Sequence, residues 1–465
     1  MASHPGVAAA RPQAGKVPPA RWLDASREAA ELVFGPLAAR QFAIRYWDTG
    51  VSEEPAGGHP AFTLVLRHPG TLRRLFLPPS ELRMAEGYIY DDIDIEGDVS
   101  AAVEIAERIR RRLATPRKVM RLARRLLSLP RGRAHHGSAS RSLGAAAHRR
   151  RHSPARDAAA VRSHYDVGND FYQLFLDREM VYSCAYYETG KETIDEAQRA
   201  KMDLICRKLR LRPGDRLLDI GCGWGGLIRY AAAKWGVDAT GITISPAQAS
   251  LARERIAADR LGDRCRVELC DYRALQSREP FDRIVSVGMA EHVGIRKLPE
   301  YFRHAHELLR PGGLFLNHCI TKDRRNPRTV AGVLAWRAGS FTSRYVFPDG
   351  ELARIDQLGR SALEAGFEVR DVESLREHYA LTLRAWVRRL DEHRDKAAAL
   401  VGEETYRIWR LHTGGGATGF ATGRLNIHQM LLAKPDLSGR VDLPLTKRDI
   451  YGPSGGSGAG PTAAS

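Results

Sequence analysis

The chain has 465 residues, 43% of them hydrophobic, and a formal net charge of +17. That length and apolar content fit one large globular domain with a smaller companion. No apolar run reaches the roughly 18 residues of a membrane span, and the N-terminus lacks a secretory apolar stretch, so a cytoplasmic protein is expected. Six cysteines, at 184, 206, 222, 265, 270 and 319, have no metal-ligand spacing, which fits reduced thiols better than a disulfide frame or a zinc site and predicts no structural metal.

In chain order, residues 1–25 and 436–465 are rich in Gly, Pro, Ala and Ser and are expected to be disordered. Residues 26–107 alternate apolar and polar positions (FTLVLRHPGTLRRLFLPP, then AEGYIYDDIDIEGD), with turn signals at His68-Pro69-Gly70 and Glu96-Gly97-Asp98. This predicts a small α+β domain without evident catalytic groups. Arg108 to Arg156 carries 16 Lys and Arg and no Asp or Glu. Residues 108–160 are therefore read as a basic linker, with at most a short helix around Val119 to Leu129. Such a run attracts anionic lipid head groups or nucleic acid by the same screened charge.

Residues 161–435 alternate strands with helices, the pattern of a doubly wound, mostly parallel, seven-stranded Rossmann-like α/β sheet. The strands are RLLDIG, DATGITIS, RVELCD, FDRIVSVG, GLFLNHCI, a sixth near Glu368 to Val372, and LNIHQMLLA. Helices are predicted over Leu227 to Lys234, Pro246 to Leu261, Pro299 to Leu309, and in two stretches between about 380 and 412. Upstream of the first strand, HYDVGNDFYQLFLDREMVYSCAYY is dense in aromatic rings for so polar a segment, and suggests a helical aromatic cap over a site.

After the first strand, Asp219-Ile220-Gly221-Cys222-Gly223-Trp224-Gly225 spaces three glycines alternately before a helix, so backbone and helix N-terminus can approach a ligand closely. The loop lacks the Lys-Ser/Thr of a triphosphate site, and the second strand ends in Thr243 to Gln248 without the carboxylate a dinucleotide requires. Thr243 or Gln248 would then hold a ribose, and Asp271 and Tyr272 would flank an adenine. Glu291, after the fourth strand, and His318, on the fifth, stand at the carboxyl edge where ligands of such sheets bind.

HYDVGNDFYQLFLDREMVYSCAYY, LLDIGCGWGG, ITISPAQ, SVGMAEHVG, NHCI and RYVFPDGEL, in this order, resemble the cyclopropane-fatty-acyl-phospholipid synthase family. EGYIYDDIDIEGDV resembles the N-terminal domain of those members that act on whole phospholipids. The resemblance implies an S-adenosylmethionine-dependent methyltransferase whose substrate is an unsaturated phospholipid at an anionic membrane surface, with no nucleic acid partner. It places the enzyme peripherally on the inner face of the cell membrane, with a homodimer as the assembly to test. Cofactor contacts implied are Tyr182, Ser183, Asp219, Gly221, Cys222, Gly223, Gly225, Thr243, Gln248, Asp271 and Tyr272.

In that family a cis double bond takes the sulfonium methyl, and a carbocation is left in an apolar tunnel. Aromatic faces such as Tyr165, Phe171, Tyr186, Tyr345 and Phe347 can stabilise the cation. A bound bicarbonate then takes a proton so that a cyclopropane closes. By motif, the bicarbonate would be oriented by backbone of Cys184 and Ile320 and by side chains of Glu291, His318 and Tyr379. One departure is Gly416, where many family members carry cysteine, so a thiolate nucleophile is excluded there. The same cation can also give a methyl- or methylene-branched chain. A small-amine N-methyltransferase is a more distant alternative, against which the N-terminal domain and basic linker speak.

Overall fold

The computed structural model describes residues 20–47, 50–55, 58–112, 116–131, 167–322, 341–347 and 350–451. Within these the chain forms two compact units, one up to residue 131 and one from 167 onward. Tyr165 and linker residues 132–160 lie outside the described residues.

The small unit is α+β. Its four-stranded sheet has the order β2-β1-β3-β4, from Val51–Glu53, Ala43–Tyr46, Phe62–Leu66 and Ile93–Gly97. β1 and β3 run parallel and the other pairs antiparallel. Its boundaries differ from the expected 26 and 107. A helix already spans Ala20–Phe34, with Ala25, Ala29, Ala30 and Val33 buried, so residues 20–25 are ordered. At the other end, helix Val99–Arg112 runs into what was read as linker, and the short helix expected around Val119 to Leu129 spans Pro116–Ser128. The charge density of the second conceals a stripe at i, i+4 and i+7: Leu122, Leu126 and Leu129 are buried, and the helix packs on Ala20–Phe34.

The large unit carries a seven-stranded sheet in the order β10-β11-β9-β8-β5-β6-β7. The strands are β5 (Arg216–Ile220), β6 (Asp238–Thr243), β7 (Cys265–Leu269), β8 (Phe281–Val287), β9 (Leu309–Thr321), β10 (Glu368–Ser374) and β11 (Asn426–Ala433). Only β11 runs antiparallel to its neighbours. Parallel β5 is flanked by β6 on one side and β8 on the other, so chain direction out of the sheet reverses there. A crevice consequently opens at the carboxyl ends of these strands. Helices Gly226–Trp235, Pro246–Ala258 and Leu298–Leu308 fall within a turn of their predicted bounds.

Three stretches depart from expectation. β9 begins at Leu309, ahead of the strand GLFLNHCI expected from Gly313, and takes in Arg310, Pro311 and Gly312. Instead of two helices ending near 412, three span Arg376–Glu392, Arg394–Val401 and Glu403–Ala421. The last takes in Gly414, Gly415 and Gly416 despite their low helix propensity. Close packing on the first supplies the reason, since a Cβ at Gly416 would stand 3.1 Å from Leu383 Cδ1. Finally, residues 436–451 are ordered: Ile450 is buried, Arg207 donates to its carbonyl, and Tyr451 donates to Glu373 at 3.2 Å. Among the described residues no helix is long and apolar enough to cross a membrane.

Candidate active site

At the head of β5 the chain turns through Gly221, Gly223 and Gly225 with φ of 87°, 54° and 78°, backbone that favours glycine. The loop is seated tightly: a Cβ at Gly241 on β6 would stand 2.7 Å from Cys222 Sγ. A cavity opens beside it, lined by Tyr182, Ser183, Asp219, Gly221, Cys222, Gly223, Thr243, Gln248, Asp271 and Tyr272. Ten of the eleven expected cofactor contacts thus share one cavity. Gly225 does not line it; that residue caps helix Gly226–Trp235, where a Cβ would meet Ala252 at 3.2 Å.

Within the cavity the polar groups are organised from below. Thr243 Oγ1 donates to Gln248 Oε1 at 2.8 Å. Asp271 receives both Nε (2.9 Å) and Nη2 (2.6 Å) of Arg273, whose guanidinium lies 5.4 Å from the centroid of the Tyr272 ring. Burial pushes the Asp271 carboxyl up, but the Arg273 contacts outweigh it and hold the carboxyl below its ordinary range. Asp219 is buried, its Oδ1 has no partner, and burial raises its pKa to about 7 against the pull of Lys201.

Lys201 is the main group the sequence reading missed. It is 1% exposed, lines the cavity, and donates to Ser183 Oγ at 3.0 Å. Burial lowers its pKa to about 8, opposed by Asp177, Cys184 and Asp219. Its helix, Ile194–Lys208, also pins the Tyr182–Ser183 segment through Gln198 Nε2, which donates to the Val181 (3.1 Å) and Ser183 (2.8 Å) carbonyls. The signal was available: Lys201 and Lys208 stand seven apart on the stripe of Ala197, Leu204 and Ile205, where solvated lysines do not belong.

The second group of expected residues stands apart from this lining. Glu291, just past β8, is enclosed; Oε1 accepts the Ile320 N–H at 2.7 Å and Oε2 is buried without a partner. Burial raises its pKa to about 7, the Ile320 hydrogen bond opposing. Glu351 holds the loop from outside, donating its N–H to the Glu291 carbonyl (3.1 Å) and accepting from Ile295 N–H (2.9 Å). The expectation that Ile320 backbone would orient a bound ion is corrected in part. Its N–H is taken by Glu291, so Ile320 acts on the carboxylate.

His318, two residues earlier on β9, is fully buried and so is held far below the usual histidine pKa, neutral. Its tautomer follows from its neighbours. Lys208 Nζ donates to Gln429 Oε1 at 2.8 Å, which turns the Gln429 amide nitrogen toward His318 Nδ1 at 3.3 Å. That nitrogen carries only hydrogens, so Nδ1 accepts and the imidazole proton sits on Nε2. Nε2 itself has no partner. Lys208 is anchored in turn by Glu373 and Asp371.

Ile320 packs against an aromatic cluster that includes Cys184 and Tyr379. The Cys184 thiol reaches the Ala185 carbonyl at 3.2 Å, and burial keeps it protonated. Rings link this cluster to the cavity: Tyr182 stacks on Trp386 (centroids 5.2 Å), Trp386 meets Tyr379 (6.2 Å), and Tyr379 meets Phe420 (4.6 Å). Among the described residues, the expected cation-facing rings Phe171, Tyr186, Tyr345 and Phe347 do not form one wall. Phe171 is core, among Tyr172, Phe175 and Trp409, because three neighbouring rings already enclose it. Tyr186 is stacked on His378 at 4.7 Å, Phe347 meets His292 and His412, and Tyr345 meets Phe341.

By fold alone the large unit resembles a coclaurine N-methyltransferase (TM-score 0.52, 21% identity, 59% of this chain, 81% of that one). With the glycine loop and its cavity, this defines the fold class, a Rossmann-like α/β sheet with a ligand crevice at its head. The family described as mycolic acid cyclopropane synthetase matches residues 152–430, and a domain of unknown function matches residues 31–116. A probable fatty acid methyltransferase of Pseudomonas putida is 40% identical over 408 residues, 88% of this chain and 95% of that protein. A cyclopropane mycolic acid synthase of Mycobacterium tuberculosis is 39% identical, covering 59% of this chain and 96% of its own length. The structure of a mycolic acid cyclopropane synthase complexed with SAH and CTAB aligns with TM-score 0.56 and 37% identity, over 60% of this chain and 98% of that one. The chain belongs to the mycolic acid cyclopropane synthetase family and is an S-adenosylmethionine-dependent methyltransferase.

Proposed function

We propose that the chain transfers a methyl group to the cis double bond of an unsaturated acyl chain of membrane phospholipid, and that proton loss then closes a cyclopropane ring. The observation that carries this is the pair of buried, partnerless groups, Glu291 Oε2, on the carboxyl that accepts the Ile320 N–H, and the Nε2–H of His318, which stands two residues before Ile320 on β9. A carboxyl poised near neutrality and a fixed N–H donor, both without partners, suit a small oxyanion, so bicarbonate is the base assigned here. Glu291, His318 and Tyr379 would hold it, with the backbone of Cys184. When bound, S-adenosylmethionine supplies an electrophilic methyl, and bicarbonate supplies a proton acceptor.

The chain's own part is binding, orientation and exclusion of water. The loop from Asp219 to Gly223 and Thr243, Gln248, Asp271 and Tyr272 would seat the cofactor. Lys201, in the same cavity, offers a cation to its carboxylate, and Asp219 an anion to its ammonium. The ring series from Tyr182 to Phe420 keeps water from the reacting centre and presents π faces to developing positive charge. The small unit supports the phospholipid reading, because the mycobacterial synthase matches only 59% of this chain while the Pseudomonas relative spans 88%. Peripheral attachment to the inner face of the membrane follows from that substrate.

A second reading, methyl or methylene branching from the same cation, is favoured by that Pseudomonas relative being named a fatty acid methyltransferase. Incubation with methyl-labelled S-adenosylmethionine and unsaturated phospholipid vesicles tests both. Label in intact phospholipid is expected, and none would refute the proposal. Proton NMR of the released acyl chain separates ring from branch.

A further inference from the structure

Helix Pro116–Ser128 is more apolar around its circumference than its packing uses. One stripe, Leu122, Leu126 and Leu129, is buried on the small unit, and the helix is tied down there. Arg73 Nη1 donates to the Leu127 (3.3 Å) and Leu129 (2.7 Å) carbonyls, and Arg125 pairs with Glu28 at 2.6 Å. The next strip around the helix is apolar and bare: Val119, Met120 and Leu127 are 45%, 54% and 56% exposed. Beyond it come Arg117, Arg121 and Arg124 at i, i+4 and i+7, all exposed. Among the described residues no acidic side chain pairs with these three arginines.

We infer that this helix docks the enzyme on an anionic lipid bilayer, with Val119, Met120 and Leu127 entering the boundary between head groups and acyl chains and Arg117, Arg121 and Arg124 on the phosphates. An apolar strip bordered lengthwise by unpaired arginines matches the layering of an anionic leaflet, apolar below and negatively charged at the surface. A strip meant for another protein core would not need a full row of cations at its border. The fixed inner stripe makes the element a rigid keel, so docking carries no cost of folding a helix at the surface. The inference rests on the proposed function only for what the membrane holds.

Flotation of the full chain with vesicles of phosphatidylcholine alone, or with phosphatidylglycerol added, tests it. Wild type should prefer anionic vesicles, and added salt should reduce the preference. The variant Arg117→Gln/Arg121→Gln/Arg124→Gln should lose the preference. Val119→Ser/Met120→Ser/Leu127→Ser should bind anionic vesicles at least about tenfold more weakly, from the apolar area lost. Met120→Trp should show blue-shifted emission quenched by brominated acyl chains. Both triple variants should melt like wild type and turn over detergent-dispersed phospholipid at wild-type rate.

Unchanged flotation of both triple variants, an unquenched Trp, or a dimer or nucleic acid complex that the variants abolish while flotation persists would overturn the inference. Failure of wild type to label dispersed phospholipid would instead refute the proposed substrate, leaving the flotation result to stand separately.

Discussion

Glu291→Gln separates the work of this carboxyl from its cost. In the folded protein burial holds the Glu291 pKa at about 7, against an ordinary value of 4.5. Between those values the folded state keeps a proton that the unfolded chain has released. Stability is therefore highest below the ordinary range, falls as pH rises to about 7, and is level above. The difference amounts to about 3 kcal/mol. Glutamine has the same shape, its oxygen can still accept the Ile320 N–H, and it cannot ionise. Relative to wild type, the variant should therefore gain about 3 kcal/mol more at pH 8 than at pH 4.5. Its absolute gain at pH 8 will be smaller, since an amide nitrogen in place of Oε2 costs about 1–2 kcal/mol unless it finds an acceptor. Thermal melts of cofactor-free protein at the two pH values read this difference as a Tm shift of several degrees, and the variant should give no labelled lipid. A stability difference independent of pH would refute the claim that Glu291 is a buried, uncompensated carboxylate, and retained turnover would remove it from the chemistry.

Three further outcomes are expected. Lys201→Met leaves Asp219 without the nearby cation, so S-adenosylmethionine affinity by calorimetry should fall at least about tenfold; in wild type, affinity should decline above pH 8 as Lys201, with its pKa of about 8, loses its proton. Gln429→Leu breaks the relay that sets the His318 tautomer, so kcat should fall with KM for lipid little changed, whereas a purely structural role would lower Tm and leave kcat per folded molecule intact. Gly416→Cys asks Leu383 to yield by a few tenths of an ångström and gains helix propensity of roughly 0.5 kcal/mol, so Tm should hold or rise slightly and turnover should be unchanged.

The sequence alone was enough for the elements whose signal is local. Strand and helix alternation, the three glycines after β5 and the absence of a carboxylate after β6 gave the sheet, its order of elements and a cofactor loop that is neither a triphosphate nor a dinucleotide site. Where composition was taken as a guide, it misled at the edges. Arg108 to Arg112 was read as linker but belongs to helix Val99–Arg112, and the short helix expected around Val119 to Leu129 starts at Pro116, its three leucines at helical spacing outweighing charges that stay in water. The helical stretch expected to end near 412 runs on through the glycines at 414–416, where the helix packs closely on Leu383.

What only the tertiary structure decided is the state of the buried polar groups. That Glu291 has one satisfied oxygen and one bare one, that His318 carries its proton on Nε2, and that Lys201 faces Asp219 all depend on partners 18 to 111 residues away or on burial. Chain order does not encode such distances. A side chain's protonation is set by the solvent it loses and the charges it meets, and both exist only once the sheet has assembled around it.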